Sequence, residues 1–439
     1  MKRGMVIFAL CWVLLTLCAC GNQGALPGND SGQTDNEVSL TDAVEVLVKN
    51  FWDTDFMCDE SAMFIAQTDE QGNVISVPRA NLLFNPDRVI RVVQYYREGN
   101  GGEIVVFEEG KDFIVKDGAL EAVGSFQQNR NTNQAVFSTS VPYVTDKSLT
   151  GENDFPGLTY FESTPSKEAG LRLPFTEGRQ IVQMQVSVTY QHSEKWGGVL
   201  PSYYGDDVLS RTVQKLLSKE KVELFVYGDS ISDGCNSSSM LGIQPRLAVW
   251  PELVRRNRAA CYGTEVILTN RSVGTWMSSH GVYGGTGWVQ GSQITQEGIG
   301  RLFESDLKGY RPDIVVIGFG MNDATNQLPI ADYVSNIKTM IDEIRKVNPE
   351  CDIILLGTML GNPMTQLFGE NQPEYTQALV NIAKLYGNDG VCVVDIGAMH
   401  ADILEAGKIY TEISANNANH PNDFMARVYA MNIMSALVK

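Results

Sequence analysis

The run Gly228-Asp229-Ser230-Ile231-Ser232 follows the apolar stretch 222–227. A serine at the turn from a strand into a helix exposes its hydroxyl and sets its own N–H beside a developing oxyanion. Gly228 permits the tight geometry. Alone, a Gly-Asp-Ser turn is a common loop feature. Three other segments supply what such a serine needs. Asn270-Arg271-Ser272-Val273-Gly274 follows a second apolar run, and a glycine there lets backbone approach a substrate and present an N–H. A third run leads into Gly318-Phe319-Gly320-Met321-Asn322-Asp323, where the Asn322 amide could aim at the same oxygen. Near the C-terminus, Asn419-His420-Pro421-Asn422-Asp423 puts an imidazole just ahead of a helical run over 424–438, with proline at a favoured first-turn position. A hydroxyl, an imidazole and several N–H donors are the parts of acyl transfer through a covalent intermediate. Histidine is scarce, with only His192, His280, His400 and His420. A structural role is the ordinary reading for the first three, and His280, in a glycine-rich stretch, is the one nearest the chemistry.

These residues need a frame to bring them together. Apolar strand candidates at 222–227, 265–269, 313–318, 352–356 and 391–394 alternate with helical patterns, notably 330–346 and 375–386. Short buried strands separated by helices predict a parallel sheet covered on both faces, with the site at the carboxyl ends of the strands. Upstream, residues 39–205 predict a β-rich domain of sandwich or jelly-roll type. Runs such as 105–107, 113–115 and the alternating 181–190 are separated by Gly, Asn and Asp turns. Residues 206–220 read as a linking amphipathic helix, with Val208, Leu209, Val213, Leu216 and Leu217 on one stripe.

The four blocks, in this order over 221–439, resemble those of the SGNH/GDSL hydrolases. The resemblance implies a three-layer α/β/α, flavodoxin-like domain. It also implies Ser230 as nucleophile, His420 as general base, and an oxyanion hole from the Ser230 N–H, the Gly274 N–H and the Asn322 amide. Members of that family commonly carry an aspartate three residues before the histidine, where this chain has Asn417. Three readings follow: a Ser–His dyad with the ring held by a backbone carbonyl, an orienting carboxylate from Asp423, or a slow or inactive protein. Asp423 could equally cap the last helix. A β-rich region joined to such a domain resembles the two-domain acetyl esterases of polysaccharides, which implies an acylated, chiefly acetylated, carbohydrate as substrate. A lipase, phospholipase or thioesterase on the same scaffold, or a glycan-binding lipoprotein with weak turnover, are the alternatives. Trp276, Tyr283 and Trp288, in the glycine-rich 274–291, could stack on sugar faces or pack on the sheet.

The formal net charge of −18 disfavours nucleic acid and anionic lipid as partners. Lys2 and Arg3 precede an uncharged run of 15 residues, 5–19, shorter than the ~20 a spanning helix needs. It ends in Leu17-Cys18-Ala19-Cys20-Gly21, which resembles a bacterial lipobox. The expectation is a lipoprotein signal at 1–19, lipid on Cys20, a flexible tether at 20–38, and an extracytoplasmic protein held to the membrane by lipid alone. Cys58, Cys235, Cys261, Cys351 and Cys392 remain, with no CxxC or finger spacing, so neither a structural metal nor a cofactor is expected.

Overall fold

The computed structural model describes residues 44–158, 163–367 and 371–438. The expected signal and tether, with Cys20, lie outside the described residues.

The C-terminal half is built on five parallel strands: Val222–Gly228, Val266–Asn270, Ile314–Gly318, Asp352–Gly357 and Val391–Asp395. In chain order they lie 2-1-3-4-5 across the sheet, so the first strand is flanked by the second and the third. Their continuous apolar character has a direct cause. Side chains alternate faces along a strand, and both faces are covered here. Val222, Leu224 and Val226 enter one core while Phe225 and Tyr227 enter the other. Ile314 and Val316 against Val315 and Ile317 repeat the pattern. Trp250–Tyr262 and Asp423–Leu437 cover the first face, Ile330–Val347 and Gln372–Tyr386 the second. Ligand sites in such sheets form where the crossovers reverse direction, beside the carboxyl end of the first strand. The Ser230 turn stands there.

The N-terminal half is strand-rich, a curled antiparallel sheet with one parallel pairing. Its long strand Phe56–Ala66 is shared: Phe56–Met63 pairs with Gln185–Gln191, and Phe64–Ala66 pairs with Tyr143–Thr145. One sequence expectation needs correction. Residues 181–184 are not strand but a tight turn, with the Met184 N–H on the Ile181 carbonyl at 3.0 Å. Positions i and i+3 of that turn both point into the small core of Met63, Val144 and Phe155, which the extended form would have split between two faces. The linking helix is shorter than its pattern, Ser210–Leu217, and Leu217 is exposed while Leu209, Val213 and Leu216 are buried.

The two halves share one hydrophobic core. Their contact is also polar. Lys408 of the C-terminal half lies 3.0 Å from Glu60 of the sheet and 3.4 Å from Glu412, all three buried. Gln185 donates to the carbonyls of Thr411 and Ser414, and the Met63 N–H donates to Glu412. The segment 410–422, which carries His420, is therefore clasped between both halves. No described helix is long and apolar enough to cross a membrane.

Candidate active site

The first strand ends at Gly228, which pairs with Gly318 on the third. A Cβ on Gly228 would stand 2.6 Å from the Gly318 carbonyl and 2.7 Å from the Ser232 hydroxyl, so only glycine permits this approach. Asp229 then caps the short helix Ser230–Asp233, its Oδ1 accepting the Ile231 N–H at 3.0 Å. This leaves Ser230 at the first helical position with its N–H unengaged by the described residues. Asp229 is fully buried, and burial pushes its carboxyl up to about 7. A fully charged group directly behind the nucleophile would oppose an oxyanion there.

The Ser230 Oγ–H donates to His420 Nε2 at 2.9 Å, across 190 positions of sequence. The other ring nitrogen faces two acceptors. Asn236 Oδ1 is in very close contact with Nδ1, and Glu177 Oε2 lies 3.3 Å from it. The Asn236 amide is oriented by its own Nδ2, which donates to the Glu177 carbonyl at 2.9 Å. With two acceptors at Nδ1 the ring proton belongs there, and Nε2 turns its lone pair to the serine. That is the tautomer a general base requires.

The polar run 414–419 shapes the histidine's approach. Asn416 Oδ1 accepts the N–H groups of Ala418, Asn419 and His420, each at 3.0 Å. Asn417 takes the left-handed conformation, φ 59°, which asparagine tolerates better than most residues. Its side chain turns away from the imidazole: Nδ2 donates to the Pro174 carbonyl at 2.8 Å, and Oδ1 accepts from Asn362 at 2.9 Å. Asp423 does not orient the ring either, which corrects that reading. It sits at the buried start of the last helix and accepts the Ser238 N–H at 3.0 Å. The acceptors are Asn236 and Glu177, which no sequence motif marks.

The expected oxyanion donors are met in part. Gly274 does lie against the nucleophile, since a Cβ there would be 3.7 Å from Ser230 Cβ. Its N–H, however, donates to the Trp288 carbonyl at 2.6 Å and is not free for a substrate. The next residue, Thr275, is exposed at φ 73°, and its N–H donates to no described residue. The Asn322 amide gives one N–H to the Trp276 carbonyl at 2.9 Å and keeps the second. The open donors are thus the N–H groups of Ser230 and Thr275 and the remaining Asn322 N–H.

The stretch 274–291 is not a free loop. Ser278–Tyr283 is helical, and Gly284–Val289 pairs with Ser292–Glu297 as a hairpin. Trp276 is fully buried, edge-on to Tyr227, which makes it a packing residue. Tyr283 and Trp288 are 78% and 47% exposed. His280 stacks on Trp276 and accepts the Met277 N–H at 3.1 Å, a structural role. His192 stacks on Phe84, and His400 is wholly buried beside Tyr410.

A serine–imidazole pair with open N–H donors, on the carboxyl edge of a parallel sheet between two helical layers, defines a serine hydrolase. Residues 226–428 match the GDSL-like Lipase/Acylhydrolase family. No curated protein matches the chain. Among solved structures it is similar to a two-domain esterase active on acetylated mannans, at 18% identity and TM-score 0.40, covering 54% of this chain and 53% of that one. The match thus spans about half the length of that esterase. It is also similar to an acetyl-xylooligosaccharide esterase from Geobacillus Stearmophilus, at 16% identity, 50% and 94% coverage and TM-score 0.36. A carbohydrate esterase family 3 structure from Talaromyces cellulolyticus gives 14% identity, 48% and 94% coverage and TM-score 0.32.

Proposed function

We propose that the protein is an extracytoplasmic serine esterase that removes short acyl groups, chiefly acetyl, from carbohydrate. The carrying observation is the 2.9 Å contact of Ser230 Oγ with His420 Nε2, on a ring whose Nδ1 is held by acceptors. Ser230 attacks the ester carbonyl as His420 takes its proton. The tetrahedral oxyanion is met by the Ser230 N–H and the Asn322 amide, the expected donors that remain open. His420 returns the proton to the leaving alcohol, and water then releases the acid from the acyl-enzyme by the same steps.

Two features support a small acyl group on a sugar. Trp288 closes in beside the nucleophile, its carbonyl and Cβ lying 3.0 and 3.4 Å from where a Gly274 Cβ would stand. Trp288, 47% exposed, presents its ring from the hairpin packed on Gly274 beside the site, suited to stacking on a sugar face. The lipobox-like Cys20 supports an anchor outside the cytoplasm, where a polymeric substrate is met.

Rates on p-nitrophenyl acetate, butyrate and octanoate, with acetate release from acetylated mannan and xylan, test the reading. It predicts highest kcat/KM for acetate and measurable release from at least one polymer. Preference for octanoate would refute it. Trp288→Ala is expected to raise KM for the polymer about 2–10-fold more than KM for the aryl ester, the worth of one aromatic contact. Equal effects on both would remove Trp288 from the sugar site.

A further inference from the structure

The role left open at Asn417 is filled from the other half of the molecule. Glu177 belongs to the loop after the strand Arg172–Pro174 of the β-rich region. That loop is fixed onto the hydrolase domain at several points. Asn417 donates to the Pro174 carbonyl, Asn236 to the Glu177 carbonyl at 2.9 Å, and Arg179 to the Leu241 carbonyl at 2.7 Å. The Glu177 carboxylate completes a closed circuit around the imidazole. Its Oε2 stands 3.3 Å from His420 Nδ1, and its Oε1 accepts from Asn416 Nδ2 at 3.3 Å. Asn416 in turn receives the His420 backbone N–H on Oδ1. A rim carboxylate 56% exposed would ordinarily be a weak ion-pair partner. Here both its backbone and its side chain are held by the residues that hold His420.

We propose that Glu177, supplied by the β-rich half, is the positioning carboxylate of the Ser230–His420 pair, so that the active site is complete only with both halves joined. The inference rests on reading Ser230 and His420 as the esterase site. Burial pushes the Glu177 carboxyl up, but hydrogen bonds with His420, Asn416 and Asn236 outweigh it and hold the group below the usual glutamate range. It therefore stays ionised at neutral pH, and its support of a protonated imidazole is lost only as pH falls through that lowered value. Other titratable groups near this site are Asp229, behind the nucleophile, Asp233 and Asp323, whose carboxyls burial pushes up, and the Cys235 thiol, which burial pushes up to about 12 and keeps neutral. None of them is bonded to Nδ1.

The test compares the full chain with Glu177→Gln and Glu177→Asp. The glutamine keeps the shape and removes the charge, so kcat on p-nitrophenyl acetate is expected to fall about 10–100-fold with KM little changed. The loss is smaller than for a fully buried triad carboxylate, because Asn236 still holds the Nδ1 proton in place. The acid limb of kcat/KM moves to lower pH, since the imidazolium has lost its counter-charge, and aspartate restores part of the rate. A loop anchor without an electrostatic role would leave that limb in place. Unchanged kcat and an unmoved limb in Glu177→Gln overturn the inference while the esterase reading stands. Should the wild type hydrolyse no ester, NMR titration of the His420 ring decides separately. A lower midpoint in Glu177→Gln supports the pairing, and equal midpoints overturn it.

Discussion

Replacing Ser230 by alanine is expected to lower kcat on p-nitrophenyl acetate by roughly 10⁴–10⁶-fold without unfolding the protein, the span seen when a hydrolase loses its nucleophile. Ser230 is only 6% exposed, and one strong contact of its hydroxyl, to His420 Nε2, fixes its direction. Removing it leaves the donors and the binding surface intact, so the residue of activity is what positioning and the oxyanion donors achieve unaided. His420→Ala should fall to a similar floor. The double variant should be no worse than either, because the two side chains act as one unit and their losses do not add. Steady-state kinetics with circular dichroism as a folding control checks this. A double variant far below both singles would mean that the two work independently.

The second large effect concerns stability. Asn417→Asp would supply the carboxylate that the family pattern leads one to expect three residues before the histidine. The structure predicts damage instead of gain. Asn417 is 2% exposed and donates to the Pro174 carbonyl, a bond that ties the histidine segment to the β-rich half. An ionised aspartate cannot donate, and it would set a buried charge against a carbonyl oxygen. The cost is about 2–4 kcal/mol, for a lost buried hydrogen bond and a buried charge that keeps only the Asn362 donor. A protonated aspartate could still donate. Its folded pKa would therefore be raised above the unfolded value, so the deficit is smallest at acid pH and grows as pH rises through the carboxylate range. Thermal unfolding at several pH values measures this. Activity of the folded variant should not exceed that of the wild type, because the side chain faces away from the imidazole. A stable and faster Asn417→Asp would mean that the segment can turn the carboxylate inward.

How much of this was legible before the fold was seen depended on range. The five strands could be read because burial on both faces makes them unbroken apolar runs, as the split of Leu224 and Val226 from Phe225 and Tyr227 shows. Ser230 and His420 could be read because a tight strand-to-helix turn and a proline-led helix start leave local marks. Glu177 and Asn236 left none. One reaches the ring through the docking of two halves, the other through a left-handed turn, φ 62°, six residues after the nucleophile. The hairpin over 284–297 leaves little local mark because its turn is Gln290-Gly291, at φ 46° and 77°, where asparagine or aspartate before the glycine would have signalled it. That hairpin then engages the Gly274 N–H through the Trp288 carbonyl, so the loss of one expected oxyanion donor depended on an element that the pattern did not predict.

The most direct measurement is covalent labelling with a fluorophosphonate, followed by mass-spectrometric mapping of the modified peptide. A serine activated by an imidazole attacks such a probe whatever the natural ester is. A single adduct on Ser230 is expected, formed rapidly in the wild type and not detectably in His420→Ala. An adduct on another residue, or equal labelling of Ser230 with and without His420, would contradict it.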